Sequence, residues 1–277
     1  MMALPIYASR TEKIWFWAFR IFCGLVLLFL ILPILVIVPL SFSDSSFLTY
    51  PITGYSLQWY REIFTAGGPW MESLKNSLII APFATLLAMI LGTLAAIGLN
   101  QAHFPGKGLL MALILSPMIV PLIIVAVGMY FFFATIGLLN SYTGLILAHA
   151  VLGVPFVVIT VNATLQGFDY NQMRAGASLG ASPTRTFFDI VLPQILPGVI
   201  SGGLFAFATS FDEVVVALFL ASPTERTLPM QMFSGIRENI SPAIAALATL
   251  LIIMSVLLLL VMEWLRRRGE KLSQAGV

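Results

Sequence analysis

The sequence predicts an all-α integral membrane protein with six transmembrane helices, and three observations carry that prediction. The 277 residues are 59% hydrophobic and only 9% charged, with a mean hydropathy of +0.99, far above an ordinary globular average. The apolar residues gather in six runs, each at or beyond the roughly 20 residues that cross a hydrocarbon core. Lysine and arginine divide unevenly between alternate loops, as they do around a bilayer. A net charge of +2 is too small to suggest a nucleic-acid partner. The single cysteine, Cys23, lies inside the first apolar run and builds neither a disulfide framework nor a metal pair.

The first span is read over residues 14–40, with Trp15 and Trp17 at its start as interface anchors. It is too long for a secretory h-region and no A-x-A site follows, so it reads as a retained helix. Pro33 and Pro39 predict a bend or an early end. Residues 41–70, rich in Ser, Thr, Gly and aromatics, read as an outer loop at the interface. It has a short helix over 57–64, and Trp59 and Tyr60 are read as interface anchors. Further spans are expected at 73–99, 109–133, 143–165, 191–220 and 243–265. A tight turn at 101–108 contains His103, and a break is placed near Asn140. Pro117, Pro121 and Pro155 fall within spans and predict kinks, which neighbouring helices make tolerable by re-satisfying freed backbone groups. No internal repeat is apparent, and residues 1–277 read as one transmembrane domain.

Six spans put both termini on one side, and charge decides which. Arg10, Lys13, Arg20, Lys107, Arg174, Arg185, Arg266, Arg267, Arg268 and Lys271 fall on the side of the termini, against Arg61, Lys75, Arg226 and Arg237 on the other. Ten against four places both termini and the 166–190 loop in the cytoplasm. The Arg266–Arg268 run is read as a determinant of topology that meets lipid head groups.

Residues 166–198 are the one polar interruption between long apolar stretches. Met173, Gly176, Ala177 and Gly180 sit three to four apart, which gives a helix face nearly bare of large side chains. Pro183 is expected to end this short helix, while Pro193 and Pro197 open the next apolar segment. A short, small-faced helix at a membrane surface reads as a docking element.

This stretch resembles the EAA loop in the membrane subunits of bacterial ABC importers, whose pattern is E-A-A-x-x-x-G, nine residues, then I-x-L-P. Here Arg174-Ala175-Gly176 and Gly180 are followed at that distance by Ile190-Val191-Leu192-Pro193. Two positions depart from the pattern: Arg174 stands for the glutamate and Gly176 for the second alanine. The resemblance implies that Met173, Arg174, Ala175, Gly176, Ala177, Ser178, Leu179, Gly180, Ala181 and Ser182 dock into a cleft on an ATP-hydrolysing subunit.

Two apparent catalytic motifs lack their context. Gly176-Ala177-Ser178-Leu179-Gly180 spells G-x-S-x-G, but no strand precedes it, and the only histidines are His103 and His149. Gly106-Lys107-Gly108 has no phosphate-loop pattern before it. The chain is therefore read as a non-catalytic subunit without a metal or cofactor of its own.

Asp212 and Glu213, near the middle of the fifth span, are the most informative ionisable residues, because charge at membrane depth faces a cavity, a partner or a substrate path. Adjacent helical residues point about 100° apart, so both line one cavity only where the helix is loosened. Thr209, Ser210 and Asn162 are further candidates for the pathway lining. Two readings stand: attraction for a cationic substrate, or burial against an arginine or backbone amides. His149 reads as a satisfied polar group between helices.

The phrases L-Q-G-F-D before the loop, S-F-D-E-V-V-V-A-L-F in the fifth span and S-P-x-I-x-A-L-A-T at 241–249 are similar to the spermidine/putrescine transport permeases. That resemblance implies a type I ABC importer fold in the bacterial inner membrane. Its partners would be a second, paralogous permease, two ATPase subunits that hold ATP and Mg, and a periplasmic binding protein. Transport would run by alternating access. Other cargoes for the same machine are an opine, an amino acid or 4-aminobutyrate; a rival from another class is a stand-alone secondary transporter.

Overall fold

A computed structural model describes residues 9–102, 104–238 and 240–274. His103 lies outside them, as do the side chains of Arg266, Arg267 and Arg268. In chain order the helices are Arg10–Leu40 (α1), Gln58–Ile63 (α2), Pro69–Gln101 (α3), Lys107–Ile119 (α4), Leu122–Thr135 (α5), Tyr142–Leu165 (α6), Asn171–Ser178 (α7), Pro183–Thr186 (α8), Leu192–Phe211 (α9), Val215–Leu220 (α10), Leu228–Glu238 (α11) and Pro242–Gln274 (α12). Among the described residues, α1, α3, α6 and the run Pro183–Phe211 are each long and apolar enough to cross a bilayer.

The chain divides into two compact units, residues 1–65 with 235–277, and residues 66–234. In the first, Ser9 caps α1: its hydroxyl accepts from the Glu12 N–H at 3.3 Å while the Glu12 carboxylate accepts from the Ser9 N–H at 2.7 Å. These bonds hold the Glu12 carboxyl below its usual range. α1 runs through Pro33 and stops one residue after Pro39. Trp59 and Tyr60 are half-buried and pin the loop internally. The Trp59 indole N–H donates to the Ser43 carbonyl at 2.7 Å, and the Tyr60 hydroxyl lies 2.7 Å from Ser41 Oγ.

In the second unit α3, α6 and α9 pack as a triplet whose seams are made of small residues. Along α9, Gly198, Gly202, Ala206 and Ser210 recur every fourth position and meet Thr164, Val157, Gly153 and His149 of the antiparallel α6 in turn. A Cβ on Gly202 would lie 2.6 Å from Val157 Cα, and one on Gly153 would lie 2.9 Å from Ala206 Cβ and 3.1 Å from Ala88 Cβ. Helices in lipid associate through such close backbone approach, because no hydrophobic driving force separates them from the acyl chains. Gly202→Ala is accordingly expected to destabilise the detergent-solubilised protein by about 1–3 kcal/mol, the usual cost of overpacking. Thermal melting checks this, at roughly 2–4 °C per kcal/mol for a chain of this size class; an unchanged midpoint would remove the backbone-contact account.

Two expected spans are interrupted. The third is not one kinked helix over 109–133: α4 and α5 meet at 107°. Pro121 has no N–H to continue the ladder, and it drives Val120 into extended backbone at ψ 137°. The fifth, expected over 191–220, comprises α8, a π-helical turn at Phe187–Val191, α9 and, after a gap, α10. The break near Asn140 is present. Asn140 takes φ 54° and donates its N–H to the Leu220 carbonyl at 2.9 Å. α11, for which the apolar runs gave no signal, is the one added helix of two or more turns.

Candidate functional site: a short surface helix and a broken span

α7 begins at an aspartate turn and ends on a glycine. Asp169 Oδ1 accepts the Asn171 N–H at 2.9 Å, and the Asp169 carbonyl accepts the Gln172 N–H at 3.1 Å. At the other end Gly180 takes φ +82°; its N–H donates to the Ala177 carbonyl and the Ala181 N–H to the Gly176 carbonyl, both at 3.0 Å. This pair of bonds is the Schellman arrangement, which needs a left-handed residue after the helix. Pro183 therefore does not end α7 as expected. Gly180 ends it, and Pro183 opens α8 behind the Ser182 cap, whose hydroxyl accepts the Arg185 N–H at 3.3 Å.

The small residues of α7 divide between two sides. Gly176 is buried, and a Cβ there would lie 2.9 Å from Ile190 Cδ1 and 3.6 Å from Thr186 Oγ1. That glycine lets α7 lie against the chain's own following segment rather than offering it to a partner. Arg174, Ala175, Ala177, Ser178, Leu179, Gly180 and Ser182 are exposed, Met173 and Ala181 half-buried. Leu179 stands out at 89% exposure, and Arg174 has no ion-pair partner among the described residues. Ser178 Oγ donates to the Arg174 carbonyl at 3.0 Å on the last helical turn, so G-x-S-x-G here is a helix end, not a strand–turn–helix elbow. Phe168, Val191 and Ile195 carry the segment into a buried cluster with Val157, Val161 and Leu165 of α6. Beside them, the Tyr170 hydroxyl donates to Asn100 Oδ1, and Asn100 Nδ2 donates to Asn162 Oδ1 at 2.9 Å. Burial pushes the Tyr170 hydroxyl above its ordinary range, which keeps it a donor.

The fifth span opens at its two acids. α9 ends at Phe211; Asp212 closes it, its N–H donating to the Ala208 carbonyl at 3.1 Å. α10 starts only at Val215. The loosened backbone sends the acids different ways. Glu213 is 5% exposed and its Oε1 accepts the Val216 N–H at 2.8 Å, capping α10 from within. Asp212 is exposed, and neither acid forms an ion pair among the described residues. Thr209 is half-buried and Ser210 is buried, its Oγ 2.9 Å from His149 Nδ1. Asn162 is not part of this cluster. It sits 13 residues along α6 from His149, about 20 Å at helical rise, paired with Asn100.

A further polar anchor escaped the sequence reading. Asn76 Nδ2 donates to the Thr224 and Arg226 carbonyls, each at 2.9 Å, and its Oδ1 accepts the Tyr142 hydroxyl at 2.6 Å. The bonds tie the 221–227 loop to α3 and α6. The signal was a lone asparagine in an apolar span.

The chain is thus a packed set of apolar helices with a short exposed helix at its surface and a span interrupted at an exposed acid. Residues 88–271 match the family described as binding-protein-dependent transport system inner membrane component, and the chain belongs to that family. It is similar to the spermidine/putrescine transport system permease protein PotC of Haemophilus influenzae, at 33% identity over 90% of this chain and 96% of that one. The Escherichia coli putrescine transport system permease protein PotI is 34% identical over 88% of each chain. Among solved structures, a bacterial ABC transporter that imports the acidic polysaccharide alginate matches with a TM-score of 0.74 at 16% identity, over 95% of this chain and 99% of that one. The chain is thus an ABC importer permease of the type I fold, a multi-pass protein of the bacterial inner membrane.

Proposed function

We propose that this chain forms half of the translocation pathway of a polyamine importer, and that Asp212 meets the cationic cargo in passing. The observation that carries the reading is the single exposed carboxylate at the break of the fifth span, in a chain most of whose length is similar to permeases for spermidine and putrescine. A carboxylate without a partner at membrane depth is unfavourable, and a passing ammonium group offsets that. One exposed acid makes a weak, transient site. The second permease subunit is a paralogue, and a periplasmic binding protein delivers the substrate. Two ATPase subunits, which hold ATP and Mg, dock on the exposed side of α7. Nucleotide-driven closure draws the α7 helices together and opens the pathway outward; hydrolysis resets it. In this reading six spans leave both termini in the cytoplasm, as the distribution of lysine and arginine favours.

Relatedness alone does not fix cargo: a molybdate/tungstate transport system permease protein of Pyrococcus furiosus is 30% identical over 72% of this chain and 80% of its own. The test is uptake of labelled putrescine by the reconstituted complex with binding protein and ATP, against unlabelled spermidine, 4-aminobutyrate and an opine. Competition by spermidine alone is the expected result. ATP-dependent uptake competed only by an uncharged-side-chain amino acid or an opine would keep the machine and retire the polyamine.

A further inference from the structure

We propose that His149 is a positioning residue for the pathway acid: through Ser210 it fixes the end of α9 and so sets where Asp212 stands. The inference rests on the reading of Asp212 as the substrate-facing group. The α6–α9 seam meets through small residues in close contact, Gly198 against Thr164, Gly202 against Thr160 and Val157, and Ala206 against Gly153. Its fourth and last step is different in kind. There His149 Nδ1 and Ser210 Oγ lie 2.9 Å apart, the one side-chain hydrogen bond joining α6 to α9 among those described. It falls two residues before Asp212, at the point where the backbone ladder of α9 stops.

On the far side of the break the chain is held again, by the Glu213 cap on Val216 and by the packing of Val216, Ala217 and Leu220 against Ala148 and Leu145 of α6. Asp212 thus stands between two anchors, and only the one before it is a polar bond to α6. His149 is 1% exposed, and its Nε2 has no hydrogen-bond partner among the described residues. A buried ring nitrogen left unpaired is unfavourable, and an apolar side chain in the same place would not carry that penalty. The Nδ1 contact with Ser210 is the ring's one hydrogen bond among the described residues, and it falls in the last turn of α9.

The experiment is a double-mutant cycle on ATP-driven putrescine uptake by the reconstituted complex, at equal incorporated protein. His149→Leu and Ser210→Ala are each expected to lower uptake about fivefold, the factor matching one lost buried hydrogen bond. In an Asp212→Asn background the same changes are expected to add almost nothing, because residues that act through one another are not additive. His149→Asn, whose carboxamide reaches the position of Nδ1, is expected to restore uptake, whereas His149→Gln, which reaches that of Nε2, is not. If His149→Leu does not assemble, the smaller Ser210→Ala change carries the cycle alone. Effects that multiply fully with Asp212→Asn, or equal activity of the Asn and Gln variants, would overturn the positioning role while leaving Asp212 in the pathway. An Asp212→Asn variant with normal uptake would instead remove the pathway reading, and the positioning role with it.

Discussion

Asp212→Asn is expected to cut ATP-dependent putrescine uptake by roughly ten- to a hundredfold, while Glu213→Gln leaves it within about twofold. The two residues are neighbours with the same charge, and sequence alone treats them as one acidic pair. Their surroundings separate them. Asp212 is exposed beyond the last turn of α9 and forms no ion pair among the described residues, so its neutral isostere removes a charge open to a partner from outside. A hydrogen bond to a charged group is worth about 1.5–3 kcal/mol, which sets the size of the expected loss. Glu213 is buried, and its one described bond accepts the Val216 N–H. The carboxamide oxygen of glutamine accepts that bond equally. Glu213→Ala, which removes the cap, is expected to cost about 0.5–2 kcal/mol of stability, read as earlier thermal unfolding. Should Glu213→Gln cripple uptake as deeply as Asp212→Asn, the division of labour between the acids is wrong.

The second large effect is expected at the surface helix. Gly180→Asp should bring uptake to background while the chain still inserts in the membrane at normal yield. A side chain at φ +82° costs roughly 1–2 kcal/mol in the left-handed region. That strain acts on the two 3.0 Å bonds that close α7 and hold Leu179 outward. It also sets a negative charge beside the exposed residues proposed to dock the ATPase. Gly180→Asn separates strain and charge from added bulk, since asparagine is neutral, of similar size and adopts the same backbone readily. Uptake retained by Asn and lost by Asp assigns the defect to backbone strain and charge together. Loss in both assigns it to the added bulk on the docking face, read directly as failure of the ATPase to co-purify. Normal uptake by Gly180→Asp would remove α7 as the docking element.

Much of this architecture is legible in the sequence because the spans are long and the polar interruptions few. Residues 143–165 fall within one residue of α6 and 73–99 within two to four of α3, since nothing but hydropathy is needed to find them. The Pro121 break was not separable from a kink: hydropathy is continuous across it, and the outcome depends on the backbone that Val120 adopts. In α7 the landmarks were legible, but the inward turn of Gly176 was not. A glycine that accommodates Ile190 reads the same as one that accommodates a partner. Glu213 could be recognised as a cap only once the helix was known to restart at Val215. Asn162 went astray for a related reason. Distance along a helix says how far apart two polar residues are, but its pairing with Asn100 was invisible without the fold.

A seam that touches backbone to backbone, as Gly202 does on Val157, has no long side chains that could re-pack to absorb a displacement. Sliding of α6 along α9 is therefore restricted where Gly202 meets Val157, and bending is easiest where the helical ladder is already interrupted. Two of the interruptions in this unit fall inside apolar stretches: the 107° corner at Pro121 and the gap between Phe211 and Val215. The first adjoins α5 and the second α10, and these two helices share a buried cluster that includes Val216, Ala217, Ala126 and Phe133. A bend at the second of these would move Asp212 while leaving the contact of Gly202 with Val157 in place.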